Sequence, residues 1–325
     1  MTKITILTRR VSIKAFLKKG IRNILRFLRT FLKTGIIDFD IFIYCGHTAV
    51  TKSLIKGIKE TGIKFSFNPF FLRKISDTVV VLSDVGALKQ AISWKKRGVI
   101  KKLLAGPNIL EIPTKYNNIL LSPEIDKVLV PSEMTVEIYE KLNPTLKGKV
   151  VIWYSGIDEK YWVPKDLPKE KEILVYWKNF STAFNLEVES VLKNKGYKIS
   201  RVVYGFYKKS TFKKLLEKSV FAVFLSVTET QGLALAEAWA MDVPTLVWDP
   251  EIEHYYLRNI KTTSAPYLTD KTGIRWKELD ELEQLLSNNK LNLNKFSPRK
   301  WIQKNMTNKN SAEMLIKICD DLANK

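Results

Sequence analysis

The stretch "VFAVFLSVTETQGLALAEAWAMDVPTLVW", residues 220–248, decides how the rest of the chain is read. It opens on a continuous apolar run from Val220 to Leu225, the pattern of a strand buried on both faces of a sheet. The run "LALAEAWAM", 233–241, reads as a helix with apolar residues on nearly every side, and "PTLVW", 244–248, starts a further strand. Strand, helix and strand in this order imply a parallel sheet. The intervening loop "VTETQG" then falls at the carboxyl end of a strand, where open α/β sheets bind ligands. Gly232 lets a ligand approach the backbone, and the unpaired amides opening the helix favour a phosphate. Two acids stand out: Glu229 in the loop and, eight residues on, Glu237 inside the apolar helix. Either Glu237 faces solvent at a helix edge, or it is buried and must be hydrogen-bonded, because a bare buried carboxylate costs several kcal/mol. The two acceptor oxygens of a carboxylate suit the vicinal hydroxyls of a sugar or a ribose.

Outward from this stretch the same alternation continues. Strands are expected at 4–7, 41–44, 63–67, 78–82, 100–105, 127–130 and 149–154, with helical periodicity between several of them. The segment 158–171, "DEKYWVPKDLPKEK", has two prolines, eight charges and no periodicity, and reads as a linker. Strands resume at 172–177, 198–205, 219–226 and 244–248, and helices follow at 276–286 and 311–322. The expected architecture is α/β, with an N-terminal Rossmann-like domain over 1–160 and a second one over 161–300. A C-terminal helix over 301–325 is expected to cross back to the first domain.

Composition narrows the function. With 325 residues, 45% hydrophobic, and eight tryptophans, the chain has enough apolar surface for two folded cores. Fifty-four Lys and Arg against 33 Asp and Glu give a formal charge of +21, which attracts polyanions. Cys45 and Cys319 form no CxxC pair, so neither a disulfide framework nor a zinc site is expected, and a reducing cytoplasm fits. His47 and His254 are the only histidines, so a histidine-rich metal centre is excluded; no HExxH or Ser/His/Asp signature is present. No run of about 18 apolar residues marks a membrane span.

The charge is unevenly spread. From Met1 to Ile37 there are ten basic residues and no acid. Lys14, Lys18, Arg22, Arg26, Arg29 and Lys33 recur every three or four residues beside an apolar stripe, the pattern of a basic amphipathic helix. A helix packed on its sheet would place mixed charges on its outer face, so an anionic membrane surface is the expected partner, with the protein peripheral at the inner face.

Two stretches carry a resemblance to a known family. Glu229, Gly232, Glu237 and the trailing "AWAMDVPTLV" resemble the Glu-x7-Glu motif of retaining nucleotide-sugar glycosyltransferases of the GT-B fold, the group called glycosyltransferase family 4. Independently, "VLVPSEMTVEIYEKL", 128–142, and "KVVIWYSGIDEKYWVP", 149–164, resemble the end of that family's first domain. The resemblance covers roughly residues 125–250. It implies that Glu229 contacts the transferred sugar, that Glu237 holds the ribose, and that Gly232 and Leu233 present amides to the diphosphate or the sugar. Lys178 would be the cation at the leaving phosphate, with Thr230, Gln231 and Gly205 completing the donor side. It also implies retention of anomeric configuration, no bound metal and no cofactor beyond the nucleotide-sugar donor.

The sequence departs from the family pattern at four places. Lys178 lacks its usual basic companion, for which Arg201, Lys208 and Lys209 are candidates; "TRRVSIK" replaces a Gly-rich turn; "WDPEIEHYY" replaces Gly-Gly-x-x-Glu; and one βα unit is missing between 178 and 219. On the acceptor side, His47, Asp84 and Asn108 follow or end strands, with a purely structural histidine as the competing reading of His47. Two other classes stay open: a non-catalytic GT-B-like protein, and a nucleic-acid-binding protein, against which stands the absence of RRM, KH, zinc-finger or helix-turn-helix signatures.

Overall fold

The computed structural model describes residues 3–11, 46–69, 71–165, 171–179, 181–287 and 291–323. The expected strand at 41–44 and the basic helix carrying Lys14, Lys18, Arg22, Arg26 and Arg29 lie outside the described residues. The chain divides into two compact units, 1–156 with 309–325, and 157–308.

In the first unit, β1 (Ile4–Leu7), β2 (Phe65–Phe67), β3 (Thr78–Ser83), β4 (Lys102–Asn108), β5 (Lys127–Val130) and β6 (Val150–Ile152) form one sheet in the order β2-β1-β3-β4-β5-β6. All its pairings are parallel. The connecting helices are α1 (Gly46–Thr61), α2 (Val85–Lys96) and α3 (Glu133–Leu142). The central strand "TVVVLS" is buried along nearly its whole length, as a strand covered on both faces must be. The chain's last helix, α9 (Asn308–Ala323), also belongs here: Trp153 Nε1 donates to the Ser311 carbonyl at 2.9 Å, and Ser311 Oγ donates to the Tyr154 carbonyl at 2.6 Å.

In the second unit, β7 (Glu172–Trp177), β8 (Lys198–Val203), β9 (Ala222–Leu225) and β10 (Thr245–Trp248) are followed by a hairpin, β11 (Glu253–His254) and β12 (Leu257–Lys261), and by β13 (Gly273–Trp276). The main sheet has the order β13-β10-β9-β7-β8 and is parallel throughout. Its helices are α4 (Thr182–Asn194), α5 (Lys209–Lys218), α6 (Leu233–Ala240), α7 (Leu279–Leu286) and α8 (Pro298–Asn305); α9 (Asn308–Ala323) ends the chain. The core joins Ile173, Val175, Val223 and Leu225 on the strands to Val188, Leu192 and Leu282 on the helices.

Two sequence expectations are corrected. The start of the segment read as a linker is packed: Trp162 is fully buried, with its ring edge-on to Phe212 at 5.9 Å. Arg299 of α8 donates to the carbonyls of Trp162 and Ala240 at 2.6 and 2.5 Å and to that of Glu159 at 3.2 Å, so the bend is pinned by a side chain 137 residues away. In the tail, the helix expected from 276 starts at Leu279, because Trp276 is the last residue of β13.

Candidate functional site

The second unit's strand order places its switch point between β7 and β9, where successive connections leave in opposite directions. Ligands of open α/β sheets bind outside the carboxyl ends of the strands at such a point. Trp177 pairs with Leu225, so the residues that follow these strands are neighbours, and the Lys178 amide donates to the Leu225 carbonyl at 2.9 Å. Lys178 Nζ reaches Glu229 Oε1 at 2.7 Å, and Ser226 Oγ donates to the same oxygen at 3.0 Å. Both side chains of the pair keep some contact with solvent, 26% for Lys178 and 14% for Glu229. The ammonium also stands 4.7 Å from the centre of the Tyr204 ring, which follows β8.

Glu229 is fixed through its backbone as well. Its amide donates to the Thr263 carbonyl at 3.0 Å. Thr263 belongs to a short segment organised by Asp249, which is 1% exposed and lies just after β10. Asp249 accepts from Thr263 Oγ1 at 2.5 Å, the Ser264 amide at 2.9 Å and Arg275 Nε at 3.1 Å. Three donors on one carboxylate satisfy a buried charge that would otherwise be costly. Asp249 was not singled out from sequence; its position directly after a strand end was the available signal.

Glu237 is buried, at 5% exposure, in a helix whose last six residues, Leu235 to Ala240, are all buried. The solvent-edge alternative is therefore discarded. Two phenols feel its charge: Tyr176 of β7 and Tyr207 ahead of α5, whose rings meet edge-on with centres 5.9 Å apart. Burial raises both well above the ordinary phenol range, and the negative charges of Glu237 and Glu229 push in the same direction. Both hydroxyls therefore remain protonated.

Gly232 precedes α6 with φ of 77°, a left-handed conformation, and turns the loop into the helix so that Leu233 begins it. Thr230 is exposed and Gln231 is buried, with Nε2 4.0 Å from Met306 Sδ. Gly205, also left-handed with φ of 81°, lies in the turn after β8, between Tyr204 and the 87%-exposed Phe206. Two candidate companions of Lys178 are engaged elsewhere. Arg201 makes a two-pronged pair with Glu189 at 2.7 and 2.6 Å, and Lys209 Nζ lies over the Tyr161 and Trp162 rings at 4.3 and 4.9 Å. Lys208 immediately precedes α5.

The acceptor-side candidates belong to the first unit. Asp84, with φ of 79°, caps α2: Oδ1 accepts from the Ala87 amide at 2.7 Å. Asn108 is the last residue of β4, and its buried Nδ2 has no hydrogen-bond partner among the described residues. His47 falls in the first turn of α1; its side chain lies outside the described set.

Solved structures share this architecture. HepE from Anabaena, in complex with UDP and glucose, superposes with a TM-score of 0.56 at 9% identity, over 99% of this chain and 100% of that one. Sucrose-phosphate synthase from Thermosynechococcus elongatus gives 0.53 at 12%, over 99% of each chain. Two parallel-sheet Rossmann-like units, with relatives of this kind, decide the class. The fold is that of the GT-B glycosyltransferases. A chain of the GtfA/B complex superposes with a TM-score of 0.53 at 12% identity over 77% of this chain, which spans only 58% of its length. No protein-family model and no curated protein sequence matches the chain.

Proposed function

We propose that this GT-B protein moves a sugar from a nucleotide-sugar donor to an acceptor hydroxyl with retention of configuration, the acceptor being a glycan or a molecule presented at a membrane. The observation that carries the reading is the set of residues at the β7/β9 switch point: Lys178 paired with Glu229, and the buried Glu237 one helix turn beyond Gly232. Further support comes from fold relatives, of which HepE holds UDP and glucose and starch synthase IV from Arabidopsis thaliana holds ADP and acarbose.

In this reading Glu229 accepts hydrogen bonds from the sugar and Glu237 from the ribose. The Gly232 and Leu233 amides and the Lys178 ammonium face the diphosphate. Lys178 counters the charge that develops on the leaving phosphate, and it is already held at the site by Glu229 and by the face of Tyr204. Asp249 acts on none of these groups directly; it holds the Thr263 carbonyl to which the Glu229 amide is bonded. The phenols of Tyr176 and Tyr207 stay protonated, so they add no negative charge beside the two carboxylates.

The test is nucleotide release from a panel of UDP-, GDP- and ADP-sugars, with and without candidate acceptors. Glu229→Ala is expected to lower kcat by about 100-fold or more, and Glu237→Ala to raise the donor KM by about tenfold or more. No turnover and no thermal stabilisation with any donor would overturn the proposal.

A further inference from the structure

The edge of the first unit's sheet carries an unusual combination. Between Glu60 and Asp77 the sequence has four phenylalanines and three cations but no acid. Phe67 at the end of edge strand β2 is 42% exposed, and Phe71 and Leu72 in the turn that follows are 56% and 54% exposed. Arg73 and Lys74, both exposed, complete that turn, with the Arg73 guanidinium 5.5 Å from the centre of the Phe71 ring.

This turn is held by side-chain hydrogen bonds, of which that between Thr5 and Ser76 is buried. Thr5 of β1 bonds through its hydroxyl to Ser66 and to Ser76, each at 2.9 Å, and Ser66 Oγ donates to the Lys74 carbonyl at 3.1 Å. Asn68 exchanges two bonds of 2.9 Å with Thr8, which ties the loop after β2 to the residue following β1. Polar side chains thus spend their bonds internally while large apolar ones are presented to water beside cations. A collapsing chain would ordinarily bury the phenylalanines and expose the serines and threonines. Aromatic and aliphatic tips ringed by Lys and Arg match the boundary between headgroups and acyl chains of an anionic bilayer.

We infer that the surface formed by Phe67, Phe71, Leu72, Arg73 and Lys74 is a membrane-docking site: Phe71 and Leu72 enter the acyl boundary while Arg73 and Lys74 meet anionic headgroups. Its residues, 67–74, lie apart in sequence from the basic stretch before residue 37, and the inference stands whether or not the protein transfers a sugar.

The experiment uses the full chain and vesicles of phosphatidylcholine with and without phosphatidylglycerol. Phe71→Trp introduces a reporter whose emission is compared with the wild-type background. On anionic vesicles it is expected to gain blue-shifted emission that acyl-brominated lipid quenches; no added quenching overturns the inference, whatever other segments bind. In co-sedimentation, Phe71→Ser with Leu72→Ser is expected to weaken binding by about tenfold or more, and Arg73→Gln with Lys74→Gln by about fivefold per charge removed. Unchanged thermal midpoints establish that the variants are folded. Binding that falls only with the charge variant, and is matched by binding to single-stranded DNA, would mark a general polyanion surface and overturn insertion.

Discussion

At the scale of the residue, the Lys178–Glu229 pair shows how a charge can be both stabilised and kept available. Each side chain keeps partial solvent contact, so its energy lies below that of a fully buried pair, and each has a further partner, Ser226 Oγ for Glu229 and the Tyr204 ring for Lys178. Removing the cation alone leaves a largely buried carboxylate with, among the described residues, a single hydroxyl donor, Ser226. Lys178→Met is therefore expected to cost about 2 kcal/mol of unfolding free energy. The double variant Lys178→Met with Glu229→Gln should recover about 1 kcal/mol of that, because the uncompensated charge is gone. Urea titration of the four members of the cycle measures both quantities, and strict additivity would show that the pair is not energetically coupled.

At the scale of the element, two glycines do different work. Gly232 needs its left-handed φ to enter α6, and a Cβ there would meet only the Leu235 side chain, its Cδ1 at 3.0 Å. Gly273 has no unusual φ, but it lies where β13 crowds β10, and a Cβ would stand 2.0 Å from the Thr245 carbonyl oxygen. Gly232→Ala is expected to cost about 1 kcal/mol of backbone strain, and Gly273→Ala about 3 kcal/mol or more, since two paired strands must separate. Denaturant midpoints of the two variants give the ranking; a milder effect at Gly273 would contradict the close strand contact.

At the scale of the whole molecule, each unit has its own sheet and core, and titration on the alkaline side connects burial to stability. Cys319 on α9 is fully buried, and burial, assisted by Asp320, pushes its thiol up to about 12. In the unfolded chain the thiol titrates near about 8.5. A folded pKa above the unfolded one means that the contribution is complete below about pH 8.5 and is lost as pH rises toward the folded value. The wild type should lose up to about 1.4 kcal/mol per pH unit from this group between pH 9 and 10, and Cys319→Ala should flatten that slope. Thermal midpoints across this range provide the check; equal slopes would mean that another group dominates. The buried phenols of Tyr176 and Tyr207 have the same sign but enter only above their ordinary range, near about pH 10.

The apolar runs of β3, β7 and β9, the helix that carries Glu237 and the strand-end positions of Lys178 and Glu229 were legible in the sequence because they are local. A continuous buried run or a helical period is written in neighbouring residues. The hairpin of β11 and β12, the short edge strand β13, the packing of Trp162 and the role of Asp249 were not legible, since each depends on partners far along the chain. Trp162 reads as part of a charged linker until Arg299 is brought to it, and "WDPEIEHYY" reads as a departure until Asp249 is seen holding Thr263 and Ser264. By itself the sequence determined the alternation of strand and helix, two α/β units and the residues that follow each strand. Only the tertiary structure decided which strands are neighbours: by setting β9 rather than β8 on the side of β7 that carries the site loop, it joined Lys178 to Glu229 across 51 residues. The physical reason is that strand order is settled by packing and hydrogen bonding between distant segments, which no local pattern records.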